Sequence, residues 1–156
     1  MRENVRLALN NIDVRQSEAD VLVRYQVLIS EILRLAIVDF YDQVLAGASV
    51  RYFQGIDIES LNALPLAHWR RLFAGQFDES FVNHATRIGI AHHERGISLQ
   101  AYTQAYGWFV GRLIEALIDH PDVAADDRGR LAVAVPKFAF VDMSIAFAGY
   151  DATPLD

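Results

Sequence analysis

The sequence predicts an all-α protein with a single domain. Apolar residues recur at intervals of three and four along most of the chain, and no stretch shows the strict alternation of a β-strand. Glycines and prolines are few, and several of them are placed where a helix would end or restart. A length of 156 residues suits one domain.

In the first part of the chain, helix-start residues and one glycine delimit the predicted helices. A short helix is predicted over about Glu3–Asn10, and Ser17 with Asp20 indicates the start of another. We expect Ser30–Glu31 to open the next helix, which ends at Gly47. A short segment, Val50 to Phe53, then follows and ends at Gly55.

The remaining helices are long, and capping side chains and glycines mark their ends. Two prolines, Pro65 and Pro136, fall inside predicted helices and predict a kink or a restart there, since an interior proline costs about 3 kcal/mol. The predicted helices run from about Asp57 to Gly75, Asp78 to Gly96, Ser98 to Pro121, and Asp122 to Tyr150.

Composition excludes several functional classes. The net charge is −6, which argues against binding to nucleic acids or to anionic membranes. The chain has no cysteine, so disulfides, thiolate ligands and cysteine nucleophiles are ruled out. No uninterrupted apolar stretch approaches the roughly 20 residues that span a bilayer, and the N-terminus does not resemble a signal peptide. We therefore expect a cytoplasmic protein without a membrane anchor.

One histidine is placed to act as a ligand within an apolar interior. His92 continues a helical face formed by Phe81, Ala85, Ile88 and Gly89. The small Gly89, one turn earlier, is expected to leave room for a flat ligand beside the imidazole. The nine Phe, six Tyr and two Trp would suit a pocket for a large apolar ligand. Periodicity alone also allows His92 to be an ordinary core residue.

Tyr41 is the second candidate for chemistry. It lies beside Phe40 on a predicted helix among apolar residues, and a buried tyrosine needs a partner for its hydroxyl. That partner is either a backbone carbonyl at the edge of the core or a polar ligand in a pocket. The sequence at this point leaves both interpretations open.

The sequence lacks the signatures of other common sites. Adjacent His92 and His93 cannot converge on one zinc ion from a helix. The Glu-x-x-His pairs of a di-iron bundle, a nucleophile elbow, and the glycine-rich motifs that bind phosphates are missing.

A specific set of residues resembles the sensor domain of the globin-coupled sensors, over about residues 19–150. The residues that carry this resemblance are Phe40-Tyr41, Leu61, Leu64, His68-Trp69, Leu72-Phe73, Gly75, Phe77-Asp78, Ile88-Gly89, His92, Gly96-Ile97 and Tyr102. The resemblance implies a globin fold with an extra N-terminal helix and no D helix. It also implies a bound haem b that senses oxygen, with CO and NO as further ligands.

The resemblance implies roles for individual residues. His92 matches the proximal histidine that ligates the iron, and Tyr41 matches the distal tyrosine that hydrogen-bonds bound oxygen. Leu61 and Leu64 match positions over the distal face, which would leave Tyr41 as the sole distal donor. His68 matches a histidine near a haem propionate. The matches to pocket or core positions are Phe40, Phe73, Ile88 and Tyr102.

The resemblance also implies how the signal leaves the domain. We expect residues 1–150 to form the sensor domain and residues 151–156 to form a linker toward an output domain, such as a diguanylate cyclase, a kinase or a chemotaxis transducer. Surplus apolar surface on the last two helices predicts a homodimer through them. Residues expected at or just beneath that interface are Tyr106, Phe109, Phe138, Met143 and Phe147.

We consider two further functional classes. One is a stand-alone haem globin that turns over oxygen or NO with a reductase. The other is a helical dimerisation module without a cofactor, in which His92 and Tyr41 are core residues. The sensor interpretation itself assigns no enzymatic activity to this chain.

Overall fold

The computed structural model describes residues 3–151, and this part of the chain is almost entirely helical, with no strand. A 3₁₀ helix, Ala48–Phe53, lies between the third and fourth α-helices. The α-helices are α1 (Glu3–Asn11), α2 (Gln16–Arg24), α3 (Gln26–Ala46), α4 (Ile58–Phe73), α5 (Glu79–Glu94), α6 (Leu99–Asp119) and α7 (Ala125–Asp151). The predicted linker at residues 152–156 lies outside the described residues.

Three of the predicted helix starts are confirmed by side-chain caps. The carboxylates of Asp57 and Asp78 accept from the backbone N–H of Ser60 and Phe81, at 2.8 and 2.7 Å. The Ser98 hydroxyl accepts from the N–H of Ala101 at 3.1 Å. Each bond satisfies a donor that the first helical turn leaves free. These caps fix where α4, α5 and α6 begin.

The boundary between α2 and α3 differs from the prediction. The break falls at Tyr25, with φ −102° and ψ 15°, and not at Ser30. A tertiary contact explains it: the Tyr25 hydroxyl donates to the Asp127 carboxylate at 2.8 Å and accepts from the N–H of Ala124 at 3.1 Å. Because both partners lie far along the chain at the start of α7, local sequence gives no sign of them.

Neither internal proline ends its helix. Pro65 lies within α4 and Pro136 lies within α7, and both helices continue through these positions. Each proline removes one hydrogen bond to the carbonyl four residues earlier. Of the two predicted outcomes, a kink or a restart, the restart is therefore wrong.

Helices α5 and α7 touch through their backbones at two glycines. A Cβ atom added to Gly89 would lie 1.9 Å from the carbonyl oxygen of Ala146, and one added to Gly149 would lie 2.2 Å from the carbonyl oxygen of Thr86. Gly89 therefore serves helix packing. The expectation that it leaves room for a ligand beside His92 is wrong, because α7 fills that space.

Helix α7 is the central helix of the structure and packs against α1, α2, α4, α5 and α6. It is long and apolar enough to cross a membrane by length and composition, yet 56% of its most apolar window is buried inside the structure. A core helix of a globular protein meets the same criteria. A salt bridge between Arg24 and Asp127, 2.8 Å long, anchors its first turn to α2.

Candidate functional site

A mostly apolar cavity lies between α3, α4, α5, α6 and the 3₁₀ helix. Its volume is about 360 Å³, and its walls are mostly aliphatic and aromatic. Of the predicted site residues, eight line it together: Phe40, Tyr41, Leu61, Leu64, His68, Ile88, His92 and Tyr102. Phe73 does not line it, and is a buried core residue whose ring packs 5.8 Å from that of Trp69.

His92 is held by its own helix. Its Nδ1 donates to the carbonyl of Ile88 at 2.7 Å, one turn earlier in α5. Because a carbonyl can only accept, the proton lies on Nδ1 and the lone pair lies on Nε2. Burial lowers the pKa of His92, only partly offset by the Ile88 hydrogen bond, and nearby Arg95 adds to the lowering. The imidazole is therefore neutral, which is the form that ligates metals.

Tyr41 is a buried donor whose hydroxyl no residue of the described chain accepts. Its side chain is 9% exposed, and its ring makes edge contacts with Phe40 and Phe53 at 5.3 and 5.5 Å. Burial raises the pKa of Tyr41 to about 12, so the hydroxyl keeps its proton. A buried O–H without a protein acceptor, lining a cavity, indicates a polar partner within the cavity.

The two predicted distal leucines differ in exposure. Leu61 is 6% exposed and belongs to the core, whereas Leu64 is 61% exposed and lies at the open edge of the cavity. Pro65 also lines the cavity beside Leu64. The three residues form an apolar wall on α4 that offers no hydrogen-bond donor from its side chains.

His68 is placed deeper than its predicted role beside a solvent-facing propionate suggests. It is 3% exposed, and its ring stacks on that of Phe81 at 4.9 Å. Its Nε2 donates to the carboxylate of Asp142 at 2.7 Å, while its Nδ1 is buried without a partner in the described chain. His68 therefore lines the cavity and carries one buried polar atom that no described residue satisfies.

Sequence reasoning missed several polar residues of the site. His84 lines the cavity 5.1 Å from the His68 ring, and burial, more than the nearby positive charges, lowers its pKa. Asp142 and Tyr106 form a hydrogen-bonded group with His68. The sequence did contain a signal for Asp142, because it is the one charged residue between Phe138 and Phe147.

The remaining histidines face elsewhere. The ring of His93 lies 5.7 Å from that of Tyr150 on α7, and His120 ends α6 near Asp122. Neither residue lines the cavity. Among residues 3–151, no group of three or more acidic or histidine side chains is placed to hold a bare metal ion.

The residues present fit a haem. The cavity offers a neutral imidazole with a free Nε2, an apolar and aromatic lining, and a hydroxyl donor. Iron porphyrins in proteins are held by such an imidazole inside an apolar pocket. Arg95, at the end of α5, also lines the cavity and provides a positive charge for an acidic ligand edge.

The comparisons with known proteins agree with this geometry. The family model described as Protoglobin matches residues 1–154. The chain belongs to the protoglobin family. Among solved structures, the globin domain of the Geobacter sulfurreducens globin-coupled sensor matches with a TM-score of 0.80 at 18% identity, covering 93% of this chain and 96% of that one. No curated protein sequence matches significantly.

The predicted fold and family resemblance are therefore confirmed. This protoglobin is all-α with a globin fold, as in the globin-coupled sensor domain. At 18% identity, the structural match establishes the fold but not the roles of individual residues.

Proposed function

We propose that this protoglobin is a gas-sensing domain that binds haem b in the cavity, with His92 as the ligand of the iron. The observation that carries the proposal is the anchored imidazole of His92. Its Nδ1–H is held by the Ile88 carbonyl at 2.7 Å, so Nε2 is fixed as a lone-pair donor. A core histidine without a ligand would need no such free nitrogen at a cavity wall.

The haem, when bound, supplies a ferrous iron that takes up oxygen, CO or NO. This chain supplies the environment. Apolar walls from α3, α4 and α6 exclude water, and the Tyr41 hydroxyl is a protonated donor with no protein acceptor among residues 3–151. A hydrogen bond to a charged acceptor contributes about 1.5–3 kcal/mol. We expect the Tyr41 donor to favour oxygen over CO, because oxygen would be the stronger hydrogen-bond acceptor of the two.

The proposed signalling route is a homodimer through the outer face of α7, leading to an output domain beyond the C-terminal end. Val133 and Phe140 on that face are 47% and 55% exposed. Of the five predicted interface residues, Met143 and Phe147 border the same apolar surface. Tyr106, Phe109 and Phe138 are instead interior, at 8, 8 and 1% exposed, so they belong to the protomer core.

A cytoplasmic location and the absence of enzymatic activity are part of the same proposal. Membership in the protoglobin family supports a sensing role. A haem globin that turns over oxygen or NO would need a reductase, and sustained NO consumption with NADH and a reductase would distinguish it.

Absorption spectra of the hemin-reconstituted protein test the proposed function. We expect a Soret band that shifts between the reduced, oxygenated and CO-bound forms. A protein without any Soret band after reconstitution would instead be a cofactor-free helical module. A Soret band that no gas shifts would contradict the sensor assignment while leaving haem binding intact.

A further inference from the structure

Helix α7 carries the exposed apolar face but does not border the cavity. Within the described chain, no residue of Ala125–Asp151 lines it; the lining comes from α3 to α6 and their connections. A ligand in the cavity can therefore act on α7 only through its neighbours, either by the backbone crossing of α5 and α7 or by side chains that reach α7 from the cavity wall.

Asp142 is the polar contact between the cavity wall and helix α7. It lies on α7 at 1% exposure, and one carboxylate oxygen accepts from His68 Nε2 at 2.7 Å. Its other oxygen accepts from the Tyr106 hydroxyl, and Tyr102 donates in turn to Tyr106 at 3.2 Å. His68, Tyr106 and Tyr102 all line the cavity. One buried carboxylate thus binds two walls, α4 and α6, to α7.

The hydrogen bonds also define the protonation of His68. A carboxylate accepts only, so the His68 proton lies on Nε2 and Nδ1 carries a lone pair. Nδ1 is buried and has no partner in residues 3–151. Burial, and next the Asp142 carboxylate, raise the pKa of Tyr106, which keeps its hydroxyl a donor. Any polar group that meets Nδ1 changes the bond on the opposite nitrogen, which is the bond to α7.

The position of Asp142 on α7 gives this contact a consequence at the surface. Asp142 points inward, while Val133, Pro136 and Phe140 line an apolar groove on the outer side of the same helix. A charge-assisted hydrogen bond in a buried site is strong and directional. A displacement of His68 or Tyr106 is therefore imposed on the stretch of α7 that carries the groove. Ring contacts of Tyr102 with Phe147 and Tyr150 supply a weaker, apolar route.

We propose that Asp142 is a positioning residue that transmits occupancy of the cavity to helix α7 through His68 and Tyr106. This inference rests on the proposed haem site for the identity of the ligand. The proposal is based on the two hydrogen bonds of Asp142, to His68 and Tyr106, and on the unpartnered Nδ1 of His68. The family resemblance assigns no role to Asp142.

Hydrogen–deuterium exchange on the full chain tests the transmission. In the wild type, we expect haem loading to change amide exchange in α7 peptides spanning residues 138–147. Asp142→Asn keeps the shape but offers only one acceptor oxygen, so at equal haem occupancy the change should fall below about half. Asp127→Asn is the matched control, because Asp127 is also buried on α7 but bonds Arg24 and Tyr25, outside the cavity. It should respond like the wild type.

A full exchange response in Asp142→Asn, or none in the wild type at full haem occupancy, would overturn the proposal. If Asp142→Asn does not fold, Tyr106→Phe removes one of the two ties and should also reduce the response. A second readout needs no haem: ¹⁵N NMR of labelled histidines should show His68 protonated on Nε2, and protonation on Nδ1 instead would overturn the geometry. Failure to take up hemin would refute the haem site itself. The Soret band measures this uptake independently of the exchange experiment.

Discussion

At the scale of the residue, the site depends on where two protons lie. His92 and Tyr41 both line the cavity, but their roles differ because of their partners. His92 uses its N–H on the Ile88 carbonyl and leaves a lone pair free, whereas Tyr41 keeps a hydroxyl for which no described residue is an acceptor. A metal on one side and a polar gas on the other would satisfy both.

Replacement of Tyr41 by phenylalanine is expected to speed oxygen release. The variant loses a hydrogen bond to a charged acceptor, so the oxygen off-rate should rise at least several-fold, and by roughly ten- to hundredfold if the full 1.5–3 kcal/mol is lost. Stopped-flow displacement by CO measures it. The CO off-rate of the same variant serves as the control and should change little. An oxygen off-rate equal to that of the wild type would remove Tyr41 from this role.

The pH dependence of oxygen release follows from the burial of Tyr41. Burial raises its pKa to about 12, from an ordinary value near 10, so the neutral donor persists into alkaline solution. The oxygen off-rate of the wild type should therefore stay constant between about pH 7 and pH 10. A rise with a midpoint near pH 10 would show that the hydroxyl ionises as if exposed. Above about pH 10, the raised pKa costs stability, because the unfolded chain releases the proton more readily.

At the scale of the element, the contact between α5 and α7 is a close helix crossing. Gly89 and Gly149 let the two backbones meet, and this crossing fixes the helix that carries His92 against the central helix. The site is thus positioned by close packing and not by loops.

Gly89→Ala should destabilise the protein by about 3 kcal/mol. The new Cβ would lie 1.9 Å from the Ala146 carbonyl oxygen, and a backbone atom cannot move away as a flexible side chain can. Gly111→Ala, on α6, is the matched control: nothing lies within 4 Å of its Cβ position, so it should gain about 0.5–1 kcal/mol from helix propensity. Urea unfolding measures both, and equal stabilities for the two variants would contradict the crossing.

Helix ends were predicted well where the signal is local, and poorly where it is tertiary. The caps Asp57, Asp78 and Ser98 lie at the residues that the sequence indicates. The break at Tyr25 depends on Asp127, about a hundred residues away, and could not be seen in a local pattern. A restart at Pro65 was one of two outcomes that the sequence allowed, but α4 continues from Ile58 to Phe73 through this residue.

At the scale of the whole molecule, the apolar face of α7 is the surface most suited to a second copy of the chain. Val133, Pro136 and Phe140 stand on one side of the helix beside Met143 and Phe147. An exposed apolar surface of this kind on the central helix would place a partner next to the residues that bind the cavity walls.

Phe140→Glu should convert a dimer into a monomer. Phe140 is 55% exposed, so its replacement removes apolar contact area and puts a charge on each copy without disturbing the core. Sedimentation velocity at matched concentrations measures the change. Val27→Glu, on α3 at 79% exposure, is the control and should remain dimeric. A dimer that survives Phe140→Glu unchanged would place the interface elsewhere.

The site could be predicted in outline and not in its polar detail. The family motif and the helical periodicity together predicted that His92 and Tyr41 face one pocket. Both residues line the same cavity in the structure. The sequence assigned Phe73 to either a pocket or a core position. Only the structure decides between the two, and it places Phe73 in the core. The bond of His68 to Asp142 joins residues 74 positions apart, so only the packing of α4 on α7 reveals it.

Absorption spectroscopy of His92→Ala beside His93→Ala, both reconstituted with hemin, tests the central claim most directly. The two histidines are adjacent and rotated by about 100° on one helix, so each variant controls for the other. We expect His93→Ala to give the wild-type spectra in the reduced and CO-bound forms, and His92→Ala to lose haem or show an altered Soret band. Wild-type spectra from His92→Ala would show that another residue holds the iron.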